Sequence, residues 1–534
     1  MKRSLAAALI ALLVAAIAPV AHTDTTRLSL ARVRYDSPAE AGFLLSNYDE
    51  THNHSMTEIE IVAWPGDLAE LDAYGYDYRV VVDDLVAQEI AYAKEPHPLI
   101  HMPGPDYSDY RRLPDYNNEM QDLAKKHSDL VEVFEMKRPT LEGRPVYGIE
   151  VSANVKNHDD GKPIFYIDGV HHAREWPASE YTMIFAHYLV DGFGKDPKIT
   201  SLLKRERVIF VPIVNVDGFD YSRESVLSLT QQLRDGTDET GAVNGFEGYW
   251  RKNRRSPTGV TIPGVQRNPE AWGVDPNRNY SYLWGDNQGG SSGDVYDQTY
   301  RGEAPFSEPE TQNVRDIILS RNVTTVLTNH TFQGSVLRAG GGESPEDGML
   351  ESIGDRLAKV LGYNNAPTVG YPTTGTTDDW AYAVMGAIGF TIEHGVINFH
   401  PAYADEIGAH LEQHMEAFSI LAEVAADPRY HSVLTGRVTV NGKPSAADLT
   451  LTKKFKTPLS EGNPTGEKSV TEKLDVSTKA GSDGMFEWHV SPSFRPYEKK
   501  FEAFTLTIKA GGKTKVLTVK LDRGQVLNLG TIAL

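Results

Sequence analysis

The sequence predicts an α/β protein whose central domain is a mostly parallel or mixed sheet with helices on both faces, preceded by a small α/β module and followed by an all-β sandwich. Three observations carry this. Between about residues 107 and 428, continuous apolar runs alternate with longer helical segments, the pattern of strands buried on both faces and covered by helices. A shorter alternation of strands and helices precedes that region. Beyond about residue 431, short alternating runs are separated by Gly, Pro and Asn turns, as in a sandwich.

Lys2 and Arg3 precede the apolar run from Leu5 to Ala18, and small residues follow to Ala21. Residues 1–21 are therefore read as an export signal, which places the protein outside the cytoplasm, extracellular or periplasmic. A membrane anchor is the alternative, but it needs about 20 apolar residues. No later segment is long and apolar enough to span a bilayer.

Residues 24–95 form the first module. Leu28 to Arg34, Ile59 to Ala63 and Tyr78 to Val82 read as strands, with helices at Ala39 to Asn47 and Asp67 to Tyr74 between them, a βαβαβ pattern without a catalytic constellation. The Pro-, Gly- and Tyr-rich stretch from His97 to Leu113 reads as a linker. Its Arg111-Arg112 pair is a candidate processing site, which makes the first module a candidate prodomain; a permanent N-terminal domain would show the same pattern.

In the middle region, Ile164 to Asp168, Val208 to Val214, Thr324 to Thr328 and Ile388 to Ile392 are the expected buried strands. Helices are expected at Asp115 to His127, Ala178 to Asp191, Glu308 to Ser320, Met349 to Leu361 and Ala404 to Ala426. In residues 431–534, the runs Gly436 to Val440, Ala503 to Ile508 and Lys515 to Val519 are the clearest sandwich strands.

Composition narrows the chemistry. A chain of 534 residues with formal charge -20 and no basic face is a poor partner for nucleic acid. It contains no cysteine, so disulfides, thiol catalysis and thiolate metal sites are excluded, and any metal rests on His, Asp or Glu.

The strand ending at Asp168 runs into Gly169-Val-His-His-Ala-Arg-Glu-Trp-Pro177. His172 and Glu175 are spaced i, i+3, where a turn entering a helix can aim both at one ion, and Pro177 suits a first helical turn. An imidazole and a carboxylate are two of the three protein ligands of an open zinc site. Alone, such a pair is common on solvated surfaces. Here Trp250-Arg-Lys-Asn-Arg254, Gly273-Val-Asp-Pro-Asn-Arg-Asn279, Asn329-His-Thr331 and Phe390-Thr-Ile-Glu393 follow in order.

Together these motifs resemble the zinc carboxypeptidases of the A, B and T type, over about 320 residues. The resemblance implies one zinc per chain held by His172, Glu175 and His330, with Asp275 orienting a ligand histidine. It implies Glu393 as general base and Arg251 as the cation that polarises the scissile carbonyl. Asn277 and Arg278 would grip the substrate's terminal carboxylate, Tyr371 would cap the bound residue, and Arg174 would add a cationic contact. Tyr371 lies 22 residues before Glu393 and Asp379 lies 14 before it, which agrees with the family without a gap. That register puts Asp378 where B-type enzymes carry the aspartate that pairs with a released Lys or Arg; a shift of one residue would turn it to solvent. Phe332 departs from the family, which often has a tyrosine there. His171 is not a ligand, since three residues onward lies Arg174, and His187, His394 and His400 are read as structural.

The expected activity is zinc-dependent removal of the C-terminal residue from peptides and proteins with a free C-terminus, with a preference for basic residues. The alternatives are a cell-wall γ-D-glutamyl peptide hydrolase of the same fold and a non-catalytic zinc-binding surface or adhesion protein. An intact Glu393 and Arg251 argue against the latter. The C-terminal sandwich resembles transthyretin-like modules, and surface or partner binding is its expected role.

Overall fold

The structure is a computed structural model that describes residues 27–55, 57–235, 246–256, 273–286, 290–321, 323–340, 344–367, 373–395, 398–493 and 503–534. The segment expected to be an export signal and Tyr371 lie outside the described residues. The chain divides into two compact units, Met1–Glu89 and Ile90–Leu534.

The first unit runs β1 (Ser29–Arg34), α1 (Pro38–Asn47), β2 (Asp49–His54), β3 (Glu58–Ala63), α2 (Asp67–Tyr74) and β4 (Tyr78–Val82). Its four strands are ordered β2-β3-β1-β4, and every pair is antiparallel. This corrects the βαβαβ expectation. β2 has the sequence Asp-Glu-Thr-His-Asn-His, which offers no apolar alternation, and only its ladder with β3 makes it a strand. Leu30, Val33, Ile59, Ile61 and Leu71 form the buried side of this sheet and its helices.

The boundary between the units falls within α3 (Leu85–Lys94). The stretch expected to be a linker is firmly held at its end. Arg111 is fully buried; its Nε donates to Glu119 at 2.8 Å, its backbone N–H donates to Glu180 at 2.6 Å, and its Nη1 reaches Glu180 as well. The Arg112 backbone N–H donates to Asp115 at 2.8 Å at the start of α4 (Leu113–Lys126). A protease cannot take Arg111 into its pocket without unravelling this corner; the Arg112 side chain is exposed, but its backbone is tied into the first turn of α4, so the pair is a poor processing site.

The second unit continues through β5 (Val131–Glu135), β6 (Tyr147–Val151), β7 (Ile164–Gly169), α5 (Trp176–Gly192), α6 (Pro197–Arg205), β8 (Arg207–Val211) and α7 (Val216–Asp235). Then come α8 (Pro309–Ser320), β9 (Val323–Thr331), β10 (Ser335–Arg338), α9 (Asp347–Leu361), β11 (Asn364–Ala366), α10 (Thr377–Met385), β12 (Ile388–His394) and α11 (Ala409–Ala426). The eight strands are ordered β11-β10-β12-β9-β7-β8-β6-β5. The four central strands are parallel, while β10, β6 and β5 join antiparallel, so the sheet is mixed. β7, β8, β9 and β12 are buried along their whole length, and their apolar runs stood out; β5 and β11 at the edges are partly exposed, and the buried β10 has only four residues.

The last region forms two four-stranded sheets. One contains β13 (Ser432–Val440), β14 (Lys443–Pro444), β17 (Met485–Val490) and β20 (Val526–Ala533). The other contains β15 (Ala447–Pro458), β16 (Ser469–Ala480), β18 (Ala503–Ala510) and β19 (Lys513–Lys520). Strict in/out alternation along β16 matches one face packed and one in water.

Candidate active site

Parallel strands β7, β9 and β12 end at the same edge of the sheet, and the chemistry gathers there, where open α/β sheets place their sites. His172 and Glu175 lie between the end of β7 and the start of α5. His330 and Glu393 do not follow their strands as expected but sit inside them, near the ends of β9 and β12. The ladder between these two strands continues past the apolar run, so polar residues remain in strand geometry.

The ligating atoms of His172, Glu175 and His330 lie within 4.8 Å of one another. The Glu175 carboxylate is 2.7 Å from His172 Nδ1 and 2.9 Å from His330 Nδ1. The two Nδ1 atoms are 3.2 Å apart. Two imidazole nitrogens and a carboxylate converging on one point suit a divalent cation with a nitrogen and oxygen donor set. His172 turns its other nitrogen, Nε2, to Asp275 Oδ1 at 3.1 Å, the outer carboxylate that fixes a ligand's tautomer. Burial pushes the Glu175 carboxyl up, but His172 and His330 outweigh it and hold it well below the usual range.

Asp275 is a hub. It is fully buried, accepts from Arg251 Nη2 at 2.8 Å and Nε at 3.2 Å, and accepts from the Asn277 backbone N–H at 2.8 Å. Burial raises its carboxyl, yet Arg251 and His172 hold it well below the ordinary value. The Asn277 side-chain oxygen accepts from the Thr377 backbone N–H at 3.0 Å and its hydroxyl at 3.1 Å. Arg278 is 2% exposed and donates from Nη1 to the Asn277 carbonyl at 2.9 Å. Its Nε and Nη2 have no hydrogen-bond partner among the described residues. A buried guanidinium with two unsatisfied N–H directions is built for an anion.

Arg174 lies with its Cζ 3.9 Å from the Phe399 ring centroid and donates to the Tyr249 carbonyl at 3.3 Å. His400 stacks on Trp176 at 3.5 Å and hydrogen-bonds the Arg174 carbonyl oxygen at 3.0 Å, so it supports this corner, a role no sequence motif signalled. Asp378 is the second residue of α10 and is 6% exposed. Burial pushes its carboxyl up, while the Thr376 and Thr391 hydroxyls hold it down. Thr391 and Glu393 share one face of β12, since side chains alternate along a strand, so Asp378 lies on the Glu393 face. His187 is bonded to Glu119 at 2.8 Å, and His394 to Asn329 and His414, each at 2.9 Å; neither joins the site.

A His-Glu-His centre at the ends of parallel strands, with a carboxylate on the adjacent strand, defines a metal-dependent hydrolase. The sequence pattern of the zinc carboxypeptidases matches residues 116–417, more than half of the 534, and the chain belongs to that family. It is a zinc metallocarboxypeptidase, an enzyme whose cofactor is zinc. The chain is 26% identical to carboxypeptidase B of Helicoverpa zea over 374 residues, 64% of this chain and 79% of that protein. It is 25% identical to carboxypeptidase A1 of Rattus norvegicus over 344 residues, 61% and 73% of the two chains. Its fold is similar to that of the carboxypeptidase A from Helicoverpa armigera, with a TM-score of 0.58, 21% identity and coverage of 76% of this chain and 99% of that one. Among the described residues, no helix is long and apolar enough to cross a membrane.

Proposed function

We propose that this enzyme is a secreted exopeptidase that releases the C-terminal residue of peptides and proteins, with a preference for lysine or arginine. The observation that carries the exopeptidase reading is Arg278, with two guanidinium directions unspent in a buried setting. A free C-terminal carboxylate fits that planar fork better than a lysine's point charge could, and an internal peptide bond presents none.

His172, Glu175 and His330 would hold one zinc. When bound there, zinc supplies a Lewis acid and a water whose pKa falls to about 7. Asp275 holds His172 in the tautomer that leaves Nδ1 free to ligate. Glu393 takes a proton from the attacking water and passes it to the departing amine. Arg251, aimed by Asp275, stabilises the developing oxyanion. Arg278, with Asn277 beside it, grips the carboxylate, Tyr371 caps the bound residue, and Arg174 adds a further cationic contact to the substrate.

The basic preference rests on Asp378. A buried carboxylate on the site face favours a cation and penalises an apolar side chain that would leave it unpaired. The test is kcat/KM for matched peptides ending in Arg, Lys, Leu and Phe, with Asp378→Ile alongside. A native preference for Leu or Phe, or ratios unmoved by the substitution, removes Asp378 from specificity.

Residues 1–21 would be the export signal and 24–95 a prodomain released from a zymogen. Residues 107–428 would be the catalytic domain and 431–534 the accessory sandwich.

A further inference from the structure

The sandwich is joined to the catalytic domain at a telling place. Glu472 on β16 is 6% exposed, and its carboxylate gathers donors from both domains. Trp380 Nε1 donates to its Oε1 at 2.8 Å, Ser281 Oγ donates to its Oε2 at 3.2 Å, and the Thr457 hydroxyl of β15 donates to the same oxygen. Trp380 lies two residues beyond Asp378 on α10, and Ser281 lies three beyond Arg278. One sandwich carboxylate thus ties together the two segments that carry the proposed pocket.

Further contacts converge on these segments. At the end of α10, the Ala383 carbonyl accepts from Ser493 Oγ at 2.8 Å, Val384 from Lys453 Nζ at 2.6 Å and Gly386 from Arg523 Nη2 at 3.0 Å. All three donors belong to the sandwich region, and two are cations placed where a helix's carbonyl end favours them. Gly386 has φ 73°, and a Cβ there would lie 2.2 Å from the Pro492 carbonyl oxygen, so only glycine lets the backbones approach. Beyond Ser281, the Leu283 N–H donates to the Pro458 carbonyl and the Ser460 N–H to the Trp284 carbonyl, both at 3.0 Å. The two segments are also laced to each other. Tyr280 N–H donates to the Gly375 carbonyl at 3.0 Å, and a Cβ on Gly375 would meet the Arg278 carbonyl oxygen at 2.4 Å.

A helix of 9 residues does not hold its own position in water; its packing sets it. We infer that Glu472 is a positioning residue for the pocket that receives the C-terminal residue, acting through Trp380 and Ser281, and that the sandwich is part of the specificity machinery rather than a tethered binding module. This rests on the reading that Asp378 and Arg278 line that pocket.

The test uses the full chain with zinc bound. Glu472→Ala should raise KM for an Arg-ended peptide, and the Ki of free arginine as product inhibitor, about tenfold, because small misplacements of binding groups are costly. kcat should stay within about twofold, the split expected when ground-state and transition-state binding are lost equally. Glu472→Gln, which keeps an acceptor for the indole, should recover most of the loss. Thr478→Val, which removes a sandwich contact to the Asp159 carbonyl rather than to α10 or Ser281, should leave KM and Ki unchanged. If Glu472→Ala lowers Tm but leaves KM, Ki and the Arg-to-Leu ratio unmoved, the contact is structural only and the inference is overturned. Should that variant not accumulate as folded protein, Trp380→Phe removes the same N–H from the other side, and an unchanged KM there overturns it equally. A wild type that ignores free C-termini sinks the proposed function instead; an active wild type with neutral variants sinks only the positioning role.

Discussion

Glu393 and His330 are register partners on the neighbouring parallel strands β12 and β9. Partners in such a ladder stand about 4.8 Å apart and project to the same side. The carboxylate assigned as base and the imidazole assigned as ligand therefore leave the sheet side by side, held by backbone hydrogen bonds rather than by a loop. Asn329 and His394, one residue to either side, point to the opposite face and bond each other at 2.9 Å.

The first prediction follows from that geometry. Glu393→Gln should retain zinc and bind substrate, while turnover falls about a hundred- to ten-thousand-fold, the usual worth of a positioned base. Pre-steady-state binding together with kcat checks it; near-normal kcat would take Glu393 out of the mechanism.

Zinc content gives the second. His330→Ala leaves two protein ligands where three are expected, so metal analysis should show the stoichiometry falling from one per chain to a small fraction. A full complement of zinc in that variant contradicts the assigned centre.

Arg278→Ala should act on the terminal carboxylate. The expected result is a raised KM and a reduced discrimination between a free and an amidated C-terminus, with a smaller effect on kcat. Retained discrimination would mean that another residue grips the carboxylate.

A fourth concerns processing. Arg111 is locked between Glu119 and Glu180, so trypsin on the native protein should leave the bond after it intact. Lys94 is the nearest basic residue upstream and is exposed. N-terminal sequencing of any trimmed product should place its start before residue 111. Arg111→Ala should cost about 3–5 kcal/mol, because it strands buried carboxylates without their cation; urea unfolding measures this.

Stability should also depend on pH through Glu310. It is 1% exposed on α8, and burial first, then neighbouring Glu308, pushes its carboxyl up to about 8. The folded state therefore holds this proton when the unfolded state has lost it. Its contribution is complete below the ordinary value of 4.5 and is lost as pH rises through about 8. Glu310→Gln keeps an acceptor for Asn253 and removes the titration, so its Tm should decline less than that of the wild type between about pH 6 and pH 9.

Much of this was legible in the chain. β7, β8, β9 and β12 announced themselves through the apolar runs that burial on both faces favours, and these strands aim the site. The ligand pair His172 and Glu175 was legible because it is local, three residues apart at a strand end. β2 was not, since nothing but its ladder to β3 makes Asp49–His54 a strand. The Arg111-Arg112 pair misled for a related reason: sequence shows two basic residues after a Pro-rich stretch but not the glutamates, 8 and 69 residues away, that bury the first.

The sequence by itself determined the central buried strands and the main helices that cover them, the donor set available to a metal and the family to which the chain belongs, because these depend on local period, residue chemistry and ordered motifs. Only the tertiary structure decided which nitrogen of each histidine faces the centre, that Asp275 serves Arg251 and His172 together, and that Glu472 reaches Trp380 from 92 residues away. Such relationships depend on where the backbone carries distant segments. A hydrogen bond is specified by a few tenths of an ångström, which no spacing along a chain encodes.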